Sequence, residues 1–158
     1  MIKNNKKYSL NRMNSNAITN LLGMELHHVQ NFQVGVYDFT VQGGAIGDIQ
    51  LQNTDQTGLI VIPSGAIITQ VYVYVPVAVT SAGSATVAVK AASAADCMVA
   101  TAKASLSLNA IVAGVPLDTA ATMLQPLAAD TTPVITVATA ALTAGKMLVY
   151  FSYVLTTF

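Results

Sequence analysis

The densest group of ionisable side chains in this 158-residue chain is Glu25, His27 and His28. A carboxylate beside two imidazoles is the material of metal sites and general acid–base pairs. The spacing does not assemble them. Adjacent histidines on a helix point about 100° apart, and Glu25 stands outside the HExxH frame that would place two imidazoles on one face. The three residues read as a surface or interface cluster. Cys97 is the single cysteine, and no histidine follows His28, so the thiol lacks an activating partner and reads as a small buried hydrophobe. One cysteine also rules out an intramolecular disulfide and a cysteine metal cluster. Gly43-Gly44-Ala45-Ile46-Gly47 runs into Asp48 without a lysine, which suits a turn between strands and makes a poor phosphate cradle. No catalytic residue, cofactor or metal is expected.

Charge is scarce and sorted. After Gln56 the charged side chains are Lys90, Asp96, Lys103, Asp118, Asp130 and Lys146, about a quarter of the usual density. Soluble proteins rely on surface charge to stay apart, so so bare a body is expected to have much of its outside covered by sister copies, a larger assembly or lipid. Lys3, Lys6, Lys7 and Arg12 crowd the opposite end, making a basic arm on a faintly acidic body although the formal net charge is zero. Four positive charges are a weak nucleic-acid footprint, and docking on an acidic protein surface is the preferred reading.

Lipid is disfavoured as the cover. No apolar run reaches the roughly 18 to 20 residues of a spanning helix, and Ile18 to Met24 is too short and broken to be a secretory leader. An outer-membrane barrel would also alternate and end in phenylalanine, like Phe158, but the chain has no Trp and only 6% aromatic residues with which to build girdles. Protein neighbours remain.

Residues 1–31 form a first unit, rich in Asn and basic side chains, extended or partly helical. Ser15 can cap a helix from Asn16 to His28 with Ile18, Leu21, Leu22 and Leu26 on one face. From Phe32 the period changes to two, and residues 32–158 read as one all-β domain, an antiparallel jelly-roll-like sandwich of about eight strands. The expected strands begin with Val34, Val36, Phe39 and Val41, then Asp48 to Gln52, Leu59 to Ile62 and Ile67 to Val79, the last interrupted by Pro76. Thr86 to Ala91, Cys97 to Ser105, a looser stretch from Ala110 to Asp118, Thr122 to Leu127, Val134 to Thr139 and Met147 to Leu155 follow, the final two joined through Thr143, Ala144 and Gly145. Abundant alanines fit either a slim core or a contact between copies. Tyr72, Tyr74, Tyr150 and Tyr153 have no clustered Arg or Lys around them, so they read as interface aromatics before they read as a platform for bases or sugars.

Three phrases carry a resemblance. They are Val36-Tyr37-Asp38-Phe39 with the glycine turn after it, Ile62-Pro63-Ser64-Gly65-Ala66-Ile67-Ile68 with Ser81-Ala82-Gly83-Ser84-Ala85-Thr86, and Ile135 to Lys146. Together, across Val34 to Val154, they resemble small virion structural proteins of tailed bacteriophages, of the capsid decoration, auxiliary capsid or head-fibre type. The resemblance implies a non-enzymatic protein made in the host cytoplasm and present in many copies on the capsid surface. Its partners would be the major capsid protein or another virion protein, reached through an N-terminal arm, with a homotrimer as the favoured assembly. It carries over no functional residue, and the first thirty residues match no pattern of that family. Two alternatives use the same body: a carbohydrate- or receptor-binding module of a phage particle, and a capsid-forming protein whose arm contacts the genome.

Overall fold

The computed structural model describes residues 30–92, 97–114 and 126–155. β-Branched residues at alternate positions make eight strands there: β1 Gln30–Asp38, β2 Gly47–Gln50, β3 Ala66–Ser81, β4 Thr86–Lys90, β5 Met98–Ala102, β6 Ile111–Ala113, β7 Val134–Ala138 and β8 Leu142–Leu155. They form two four-stranded sheets, ordered β1-β8-β3-β6 and β2-β7-β4-β5. Every pairing is antiparallel, first strand with last, second with seventh, third with sixth and fourth with fifth. That is one long hairpin wound into a sandwich, the jelly-roll topology.

The two inner faces supply the core. Along β3, Val71, Val73 and Val75 turn inward, and on β8 Met147, Val149 and Phe151 do the same, meeting Ile135, Val137, Val87 and Val89 of the other sheet. Cys97 is 1% exposed within this cluster, as expected of a small hydrophobe. Ala85 and Ala88 are buried, whereas Ala100, Ala102 and Ala104 face solvent, so only part of the alanine content serves the core.

Several elements differ from the sequence reading for identifiable reasons. Phe39 and Val41 do not prolong the first strand. Asp38 ends it by accepting from Thr40 N at 3.0 Å and Thr40 Oγ1 at 2.6 Å, which caps one helical turn, α1 Phe39–Gln42. Leu59 to Ile62 is held by isolated bridges to Gln52 and Thr131 and not by a ladder. Pro76 sits at a register shift between Tyr74 and Val77, where the missing N–H is harmless, and β3 continues through it. The β5 strand stops at Ala102, followed by a 3-10 turn over Lys103–Ser105. Thr143, Ala144 and Gly145 belong to β8 instead of a connection; the turn is made earlier, with Thr139 at φ 72°. The proposed helix from Asn16 to His28 and most of Thr122 to Leu127 lie outside the described residues.

Charge in the described body is spent on local structure. Lys146 pairs with Asp38 at 2.9 Å and Lys90 with Asp48 at 2.7 Å. Lys103 Nζ donates to the Ser81 carbonyl at 2.5 Å, Asp130 accepts from Ser64 N at 2.8 Å, and Asp55 accepts from Thr57 N and Oγ1. These contacts occupy all the charged side chains among the described residues.

Tyr37 is fully buried and donates its hydroxyl to the Gly43 carbonyl at 2.8 Å. Burial, reinforced by the neighbouring Asp38 carboxylate, pushes the phenol up to about 12. An unfolded tyrosine ionises near 10, so on raising the pH the unfolded chain loses its proton first. The stabilisation from this group is complete below about pH 10 and is lost as pH rises toward 12. Denaturant midpoints measured from pH 9 to 12 should fall across that window, and Tyr37→Phe should flatten the fall. The same substitution should cost about 1–2 kcal/mol at neutral pH through the unpaired Gly43 carbonyl.

Candidate interaction face

The outer faces of the two sheets differ in kind. On the second, Asp48 accepts from Thr136 Oγ1 at 2.7 Å and pairs with Lys90, among small and polar neighbours. The hydrogen bond from Lys90, followed by that from Thr136, holds the Asp48 carboxyl below its usual range. It is an ordinary solvated face.

The first sheet carries aromatic and aliphatic side chains outward. Because Val71, Val73 and Val75 take the core side of β3, the period of two sends Tyr72 and Tyr74 to the opposite side. The register then aligns rows across the strands: Phe32, Ser152 and Gln70; Val34, Tyr150, Tyr72 and Ala113; Leu148, Tyr74 and Ile111. Phe32 is 69% exposed, Ile111 72%, Tyr72 41% and Tyr150 38%. Between them lies a groove of ≈380 Å³ lined by Phe32, Gln70, Tyr72, Tyr74, Ile111, Tyr150, Phe151 and Ser152. Two of its polar groups are engaged at the margins. The Ser152 hydroxyl accepts from Gln30 Nε2, and the Tyr74 hydroxyl donates to Asn109 Oδ1 at 3.1 Å.

Of the four tyrosines singled out from sequence, three meet at this groove. Tyr153 does not: it points inward, is 8% exposed and belongs to the core. The reason is parity, since Tyr150 and Tyr153 are three residues apart on one strand and must face opposite ways. Phe32 shares its face with Val34, which the register sets beside Tyr150, so its outward side follows from the pairing of β1 with β8 and not from the apolar pattern of β1 alone. Ile111 carries a weaker signal in the sequence, because β6 has only three residues. Lys3, Lys6, Lys7 and Arg12, and the Glu25, His27 and His28 cluster, lie outside the described residues. Among the described residues no three His, Cys, Asp or Glu side chains gather to hold a metal ion.

No protein-family model matches the sequence, and no curated protein matches it either. Solved structures do. A chain in the capsid asymmetric unit of cyanophage Pam1 is similar over 84% of this chain and 89% of its own length, at 20% identity and a TM-score of 0.58. A chain in the capsid of Ralstonia phage GP4 is similar over 81% of this chain and 86% of its own, at 17% identity and a TM-score of 0.54. The likeness is one of fold. The shares are nearly equal on both sides, so each matched chain is about as long as this one and the jelly roll makes up most of it.

Proposed function

We propose that this chain is a structural protein of a phage particle, fixed to the capsid surface as an auxiliary or decoration protein by its basic N-terminal arm and self-associating, as a trimer, through its β-sandwich. The observation that carries the reading is the aromatic outer face of the first sheet on a body otherwise poor in charge. A monomer free in water gains nothing from holding Phe32, Tyr72, Tyr150 and Ile111 exposed on one surface. Fold similarity to chains of phage capsids, over most of chains of equal length, supports a particle as the place where such a surface is covered. A repeated lattice supports the arm as anchor, because weak electrostatic contacts made many times hold through avidity.

Two measurements on the full chain test it. Light scattering should give the mass of a trimer, and a monomer at all accessible concentrations would remove the self-association. Reversing the arm, with Lys3, Lys6, Lys7 and Arg12 all changed to glutamate, should lower binding to capsids purified from the same source by at least about tenfold at low salt, since each charge acts through screened attraction. The variant should keep the same solution mass. Full occupancy by the reversed variant would show that the arm is not the anchor.

A further inference from the structure

We infer that the outer edge of β1 pairs, antiparallel and across a twofold axis, with the same edge of a second copy, joining two first sheets into one. Backbone parity finds the edge. Val36 exchanges both of its backbone bonds with Gln52, at 2.7 Å from its N–H and 3.0 Å to its carbonyl, so the even-numbered residues of β1 turn their peptide groups away from β8. Phe32 and Val34 follow that parity, and no backbone group among the described residues meets their N–H and C=O. A row of unpaired donors and acceptors is a template for one more strand.

The other outer strands of the two described sheets are guarded, and β1 is not. Among the four residues of β2 stands the charged Asp48, and Gln42 Nε2 covers the Gln50 carbonyl. In β5 the pairing is bulged against Val87 to Val89, and Thr101 Oγ1 donates to the Val99 carbonyl at 2.9 Å. β6 has three residues. Charge, bulges and brevity are the devices that keep other chains off a sheet edge. β1 runs nine residues without a register shift, and Gln30 to Tyr37 contains no charged residue and no Pro.

Neutrality selects the occupant. At a twofold axis an edge meets itself, so a charge on it would face a like charge, and an edge with none is free of that repulsion. A foreign strand would be chosen by complementary charge, which β1 does not offer. Sterics and the aromatic rings then select the register. Setting Phe32 opposite Val34 of the second copy would drive Gln30 into the Gln52 already seated beside that copy's Val36. Setting Phe32 opposite Phe32 avoids the collision, places Gln30 opposite Val34, and lets two rings that are each 69% exposed cover one another. Edge pairing covers little surface, less than the roughly 1,000 Å² of a lasting interface. It therefore adds to the contact through the aromatic face, and joins the proposed trimers where a lattice holds them side by side.

The test is Phe32→Cys in the full chain, which places two thiols at a facing pair with Cα atoms about 5.5 Å apart, inside the range of a disulfide. Under mild oxidation it should give covalent dimers on non-reducing denaturing gels at least about tenfold faster than Ala100→Cys, an exposed position on β5 where thiols meet only by collision. The unsubstituted chain is the blank for the buried Cys97. Adding Val34→Pro removes an N–H at the edge and leaves the β1–β8 ladder whole, so it should return the rate to that of Ala100→Cys with Tm little changed. Equal rates for Phe32→Cys and Ala100→Cys would overturn the inference. Dimers that form as fast in a folded chain carrying Val34→Pro also overturn it, because outer faces and not edges would then be meeting. If the proline variant does not fold, the comparison with Ala100→Cys decides by itself. The mass of the unsubstituted chain and the capsid binding of the charge-reversed arm are separate readouts, so the proposed function stands or falls without this edge.

Discussion

Phe151→Ala is expected to cost about 3–5 kcal/mol of folding stability, the range for removing a fully buried aromatic ring. Phe151 is 0% exposed on β8, a strand paired with β1 on one side and β3 on the other. Its backbone is thus held on both edges and cannot move to fill the space the ring leaves. A domain of this size has a total stability of about 5–15 kcal/mol, so the loss is a large fraction of it. Tm should fall by roughly 6–20 °C. The neighbouring residue supplies the control, because Tyr150 is on the same strand but the opposite face. Tyr150→Ala should cost about 1 kcal/mol or less, the worth of its cross-strand contact with Tyr72. Calorimetry on the two variants and the unsubstituted chain, at concentrations where all are monomeric, reads the difference directly. Equal losses would mean that the inward and outward assignments along β8 are wrong.

That contrast also shows where the sequence was legible. The jelly roll was readable because period-two runs of Val, Ile and Thr between Gly, Pro and Ser turns leave little else to build. Local chemistry at the strand ends overrides the period of two. Asp38 followed by Thr40 is a capping pair, and it converts what looks like the continuation Phe39 to Val41 into a helical turn. Gly145 looks like a turn residue, yet it lies within β8 at φ 140°, with Val79 so close that a Cβ would come within 3.0 Å. Its job is close approach at a register shift, a role that spacing alone does not separate from a turn.

The candidate face was legible in part for the same reason. Tyr72 and Tyr74 declare their side as soon as Val71, Val73 and Val75 are given the core. Tyr150 and Tyr153, an odd number of residues apart on β8, fall on opposite faces by the same rule, so residue type alone does not separate the core tyrosine from the exposed one. What no local pattern reports is adjacency between strands distant in sequence. Phe32 and Ile111 meet the tyrosines only because β1 and β6 flank β8 and β3 in the winding of the sheet.

Tyr72→Ser combined with Tyr150→Ser should leave the fold intact and abolish self-association at concentrations where the unsubstituted chain is assembled. The two rings stand opposite each other in the middle row of the groove, each partly exposed, so neither supports the core. Aromatic side chains at the centre of a contact typically cost about 2 kcal/mol or more each when truncated. Two such losses weaken association about a thousandfold, at about 1.4 kcal/mol per factor of ten. Light scattering across a dilution series reads the shift in mass, and unfolding compared where both proteins are monomeric keeps mass action out of the stability. The matching control is Asp48→Ala with Lys90→Ala on the opposite sheet, which removes a solvent-exposed ion pair worth about 0–1 kcal/mol and should leave the mass unchanged. If both double variants assemble like the unsubstituted chain, the aromatic face makes no contact between copies. If only the tyrosine pair dissociates, the charge-poor body is held to its sisters in solution by this face.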